Sequence, residues 1–150
     1  MMQDFAQSYL GEAGTRFGVN ALTQIVVALL TVHLLSGTWR LKRAPFWCAA
    51  IGLLGASYAL GSIVVFYVIR GSQSAENAVP ALIAMITFGV IKAFLVGQVV
   101  AARCRDYTDK WKMHASIICV LFVAHILAIF IGGFRPSKPN DEEELADCFA

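Results

Sequence analysis

Four long apolar runs decide what this chain can fold into. They cover residues 17–39, 46–69, 78–101 and 113–134, and each is long enough for a helix to cross a hydrocarbon core of about 30 Å. Only 15% of the residues are charged, whereas soluble domains carry about 25%. The connections are short, so the sequence predicts an all-α integral membrane protein, a single domain over residues 1–150 built as a bundle of four transmembrane helices.

Basic residues predict the orientation of this bundle. Seven of the 12 Lys and Arg residues lie in two alternate connections: Arg40, Lys42 and Arg43 in the first, and Arg103, Arg105, Lys110 and Lys112 in the second. Short cytoplasmic loops are enriched in Lys and Arg. Loops 40–45 and 102–112 are therefore predicted to be cytoplasmic, with both termini extracytoplasmic, in a cell or inner membrane.

The remaining charges and the cysteines exclude several classes of function. The net charge of +2 is small, and the basic residues cluster at the ends of apolar runs, which argues against nucleic-acid binding. The four cysteines form no CxxC pair and have no zinc-ligand spacing with the histidines. The tail over residues 135–150 is interrupted by prolines and then acidic, a composition that predicts disorder.

Small residues recur on two of the predicted spans. Those of the third span are four residues apart and those of the second are clustered: Gly89, Ala93, Gly97 and Ala101, and Gly52, Gly55, Ala56 and Ala59. Small residues at such spacings let helix backbones approach closely in lipid. Both sets are predicted packing interfaces, and two interpretations stay open: contact within the bundle and contact with another chain.

Lys92 lies inside the third apolar run. A charge at the centre of a bilayer costs about 2.5–3.5 kcal/mol on insertion scales, so an intramembrane lysine indicates a functional site. No Asp or Glu occurs in any of the four runs. Gln24 and His125 also lie deep in their runs, and with Lys92 they form a predicted intramembrane polar layer, with Tyr58 as a further candidate.

Several environments for Lys92 stay open. Its side chain can extend toward the interface or be solvated by trapped water, or it can lose its proton on burial. It can also meet an anion that the chain does not supply. That anion would be a carboxylate of a partner, a lipid phosphate or the propionate of a cofactor.

Three kinds of function fit this pattern, and the interfaces and Lys92 favour the first. It is a small multi-pass subunit or homo-oligomeric scaffold of a membrane complex, which has membrane lipids and other membrane subunits as partners and needs no cofactor. The second is a b-type cytochrome with one haem, whose ligands would be His33 and His114. The third is a pore or transport protein of holin-like size. No residue cluster has catalytic spacing, so the sequence does not favour an enzyme.

Overall fold

The structure, a computed structural model, describes residues 2–35, 37–73, 75–120 and Gly133. All regular secondary structure within these residues is helical, with bounds α1 Met2–Gly11, α2 Ala13–Leu30, α3 Arg43–Gln73, α4 Ala75–Tyr107 and α5 Trp111–Val120. A π-helical turn over Thr31–Leu35 continues α2.

Within the described residues, three segments are long and apolar enough to cross a membrane: Phe17–Leu35, Arg43–Arg70 and Glu76–Tyr107. They correspond to the first three predicted spans and confirm that these runs are helical and long enough to cross a membrane. Most of the fourth predicted span, 113–134, lies outside the described residues, as does the tail over 135–150. The number of spans and the sides of the termini therefore stay predictions.

Helices α2, α3 and α4 alternate in direction along the chain, and α4 packs against both α2 and α3. Asn20 lies beside Gly89 and Ala28 beside Gly97, so α2 and α4 run in the same direction. The backbone N–H of Leu41, just before α3, donates to the carbonyl of Ala102 at 3.1 Å, so α3 begins where α4 ends. This end of the bundle, which carries the basic connections, is called the basic end below.

The first long helix ends earlier than its hydropathy predicts. The apolar run continues to residue 39, but the helix ends at Leu35. The side-chain amide of Gln98 donates to the Leu35 carbonyl at 2.8 Å, which satisfies one of the acceptors that a helix end exposes. An amide of α4 therefore helps to set the end of the π-helical turn.

The third long helix, in contrast, continues beyond its apolar run. The sequence predicts a loop over residues 102–112, but α4 extends to Tyr107. Arg103 is fully buried, pairs with Asp106 one helical turn later and donates to the Leu41 carbonyl at 3.4 Å. A buried charge requires such partners. Arg103 thus joins the first connection to α4, rather than being a loop charge exposed to solvent.

Helix α1 precedes the first of the four predicted spans, which begins at residue 17, and hydropathy does not predict it. Ala6 and Leu10, which are one helical turn apart, are both 1% exposed. They share an apolar cluster with Val68 of α3 and with Ala78 and Ala81 of α4. The helix therefore packs against α3 and α4 at the end opposite the basic end.

Candidate functional site

The predicted packing face of α4 lies inside the bundle. Ala93 and Ala101 are fully buried. A Cβ placed on Gly89 would be 2.8 Å from Oδ1 of Asn20, and one on Gly97 would be 2.9 Å from the Cβ of Thr31. The small residues of α4 therefore allow close approach of the polar face of α2.

Thr31 can be buried in this contact without losing a hydrogen bond. Its side chain is fully buried, and its hydroxyl donates to the Val27 carbonyl at 2.8 Å. Because the donor is satisfied within its own helix, the cost of removing a free hydroxyl from water is avoided. The contact of α2 with α4 is thus close and internally satisfied.

The predicted packing face of α3 lies on the exterior of the described residues. Gly52, Gly55, Ala56 and Ala59 are all exposed. Apart from its own helix backbone, a Cβ added at Gly52 or Gly55 would meet none of the described residues within 4 Å. The two small-residue faces therefore differ: the α4 face is used within the chain, and the described residues leave the α3 face uncovered.

Lys92 lies at an open cleft lined by residues of α2, α3 and α4, called here the Lys92 cleft. It has a volume of about 970 Å³. Lys92 and Phe88 of α4, Asn20 and Gln24 of α2, and Ser57, Tyr58 and Ser62 of α3 are among its lining residues. By helix rise, Lys92 is about 16 Å from Arg103, which places this cleft well inside the bundle.

The cleft combines one cationic group with neutral polar groups. Around Lys92 lie two side-chain amides and three hydroxyl groups, and no lining residue among the described ones is an Asp or Glu. Ser62 donates its hydroxyl to the Tyr58 carbonyl at 2.8 Å, so its oxygen keeps acceptor capacity. Amide N–H groups and an ammonium group together can hold an anionic oxygen.

Part of the predicted polar layer is brought together here. Gln24 and Tyr58 line the cleft with Lys92, whereas His125 lies outside the described residues. The sequence alone does not single out Ser57 and Ser62. Their signal is a pair of hydroxyl groups in an otherwise apolar span, but serine is common in membrane helices, where it bonds to its own backbone, so that signal is weak.

His33 and His114, the predicted haem ligands, lie on neighbouring elements at the basic end. Nε2 of His33 is 3.0 Å from Oγ of Ser116. The Ser116 hydroxyl donates to the Lys112 carbonyl at 2.8 Å, so Nε2 of His33 carries the proton in this bond. His114 donates from Nδ1 to the Lys110 carbonyl at 3.1 Å. Iron would therefore have to bind Nδ1 of His33 and Nε2 of His114.

Comparison with protein families, characterised proteins and solved structures finds no match to this chain.

Proposed function

We propose that this chain is an assembly subunit of a membrane complex and that its Lys92 cleft receives a transmembrane helix of another protein. The supporting observation is the cleft itself, which has a lysine and polar side chains within the bundle. The incoming helix carries a carboxylate at the depth of Lys92. Pairing with that carboxylate offsets the cost of holding a charge inside the hydrocarbon core.

The sequence favours a different protein over a second copy for this contact. None of the four predicted spans contains Asp or Glu. A second copy placed in the cleft would bring no carboxylate from a span, so it would not neutralise Lys92. Along α3 the cleft is lined from Ser57 to Ile69, about 18 Å by helix rise, which matches a little over three turns of a partner helix.

The open face of α3 supports a second candidate function, a homo-oligomeric scaffold. Gly52, Gly55, Ala56 and Ala59 are exposed, and close helix contact in lipid uses such residues. A Gly55→Leu variant should then be monomeric where the wild type is a defined oligomer. An unchanged oligomer mass in native mass spectrometry would reject this face as the interface.

The Lys92 proposal is tested on the complex extracted gently from its own membrane. Native mass spectrometry of the wild type should show this chain with a second subunit that has an Asp or Glu in a transmembrane segment. Lys92→Leu should lose that subunit. Lys42→Leu is the matched control, because Lys42 is exposed in the connection before α3, and it should keep the subunit.

Three results would overturn the proposal. They are a wild-type chain detected alone, a partner that stays bound to the Lys92→Leu variant, and a partner without an intramembrane acid. A lone chain that carries a fatty acid or phospholipid lost on Lys92→Leu would identify the occupant of the cleft as a lipid instead.

A further inference from the structure

A second cleft lies at the basic end, between the connection after the π-helical turn and the start of α5. We call it the basic cleft. Its volume is about 470 Å³, and its lining includes His33, Arg40, Arg105, Asp109, Trp111 and Lys112. Three cationic side chains and one carboxylate give the lining a formal charge of +2, counting His33 as neutral. The Lys92 cleft has none of these residues in its lining.

Arg105 is held in place at this cleft by two contacts. Its Nη1 donates to the Trp39 carbonyl at 3.2 Å, and its Cζ lies 4.0 Å from the centroid of the Trp111 ring. Stacking on an indole orients the guanidinium plane, and one bond to a carbonyl leaves further N–H donors available. The position of Arg105 is therefore set before any ligand binds.

Lys112 is placed by the same aromatic ring. Its Nζ lies 5.5 Å from the Trp111 centroid, and its backbone carbonyl accepts the Ser116 hydroxyl that also contacts His33. A guanidinium fork and an ammonium group that share one indole form an arrangement suited to a phosphate oxyanion.

The place of the cleft in the fold indicates where that phosphate comes from. The basic end contains the ends of the long apolar helices, and Trp39 and Trp111 lie there, as tryptophan does at membrane interfaces. Lipid phosphates lie at this depth, and clustered basic residues beside transmembrane helices bind anionic headgroups.

We propose that the basic cleft binds the phosphate headgroup of an anionic phospholipid from the adjacent leaflet. Arg105 and Lys112 contact the phosphate oxygens, Trp111 packs beside the glycerol region, and Arg40 adds charge at the rim. This site is independent of the partner helix proposed for the Lys92 cleft.

The test measures lipid retention by the purified full-length chain in detergent, using native mass spectrometry with added phosphatidylglycerol or phosphatidylcholine. The wild type should retain phosphatidylglycerol in preference to phosphatidylcholine. The double variant Arg105→Gln/Lys112→Gln should bind phosphatidylglycerol about 30-fold more weakly, the size expected for two basic residues at an anionic surface.

The matched control is Lys42→Gln/Lys110→Gln, which removes the same charge from two exposed residues that are not among the lining residues of the basic cleft. It should bind phosphatidylglycerol like the wild type. An equal loss in both double variants would overturn the proposal, because only the overall positive charge would then attract the lipid. Equal retention of the two lipids by the wild type would also overturn it.

Two further measurements check the folding of the variant and the source of the phosphate. Arg105 also contacts Trp39, so Lys112→Gln alone is measured with circular dichroism, and it should weaken lipid binding several-fold while the helix content is unchanged. Inorganic phosphate is added as a competitor. If millimolar phosphate displaces the lipid completely, the site takes free phosphate, and the lipid proposal is wrong.

Discussion

At the residue scale, Gly97 faces Thr31 and the carbonyl of Ala28 across the contact between α2 and α4. A Cβ at this position would be 2.9 Å from the Thr31 Cβ and 3.0 Å from the Ala28 oxygen. The second neighbour is backbone, so the helices themselves must separate. We expect Gly97→Ala to lower the free energy of unfolding by about 1–3 kcal/mol, measured by denaturant titration in detergent with circular dichroism.

Gly52→Ala is the matched control for this substitution. Gly52 is also within a long helix, but a Cβ added there would contact no described residue outside its own helix backbone within 4 Å. Alanine there should leave stability unchanged or raise it by up to about 1 kcal/mol, because it favours the helix. If both variants unfold alike, α2 does not pack on the glycine face of α4.

At the scale of the element, α1 depends on its contacts with α3 and α4. A ten-residue helix is too short to be stable alone in water, and Leu10 is 1% exposed. Leu10→Ala should lower the local opening free energy by about 2 kcal/mol, the low end for a buried leucine. Amide exchange of α1, followed by mass spectrometry, should become about 30-fold faster, while α4 keeps its protection.

Met2→Ala is the control for the α1 prediction, because Met2 is 72% exposed. It should leave amide exchange in α1 unchanged. Equal exchange in Leu10→Ala and the wild type would mean that the α1 cluster does not hold this helix in place.

The sequence predicts the long helices well because only helices and closed barrels satisfy the backbone in lipid. Hydropathy does not detect α1, because only two of its described residues, Ala6 and Leu10, are among the buried residues of the apolar cluster that holds it against α3 and α4. It also places the end of α4 too early, because Arg103 and Asp106 satisfy each other within the helix. The presence of charged residues in a sequence does not show whether they form a buried ion pair within a helix or lie in an exposed loop.

Part of the Lys92 cleft can also be predicted from hydropathy. Lys92 and Gln24 stand out as polar residues in apolar runs, and both line the Lys92 cleft. Which small-residue face packs within the chain depends on helix pairing, and periodicity does not determine pairing. The π-helical turn likewise depends on its contact with Gln98 of α4. The Trp111 ring reaches Arg105 across the short turn between α4 and α5, and hydropathy does not reveal that contact.

At the scale of the whole molecule, the side of the C-terminus depends on residues 113–134. This run contains no Asp, Glu, Lys or Arg and is long enough to cross the bilayer. Gly133, however, lies against the indole of Trp47, near the start of α3 and hence at the basic end. The charge-free run favours the extracytoplasmic side for residue 138, whereas the Gly133 contact favours the side of the basic end. We expect a crossing, because a charge-free run of this length gains most by spanning the hydrocarbon core.

Single cysteines in a cysteine-free background decide between the two arrangements. Intact cells are treated with a membrane-impermeant maleimide, and labelling is compared for Lys42→Cys, Gln73→Cys and Lys138→Cys. Lys42→Cys should react only after the cells are permeabilised, because its connection is predicted to be cytoplasmic, and Gln73→Cys should react in intact cells. Four spans require Lys138→Cys to react like Gln73→Cys. If it reacts like Lys42→Cys, the chain crosses three times, and the acidic tail lies on the same side as the basic cleft, where it would compete with lipid phosphate for Arg105 and Lys112.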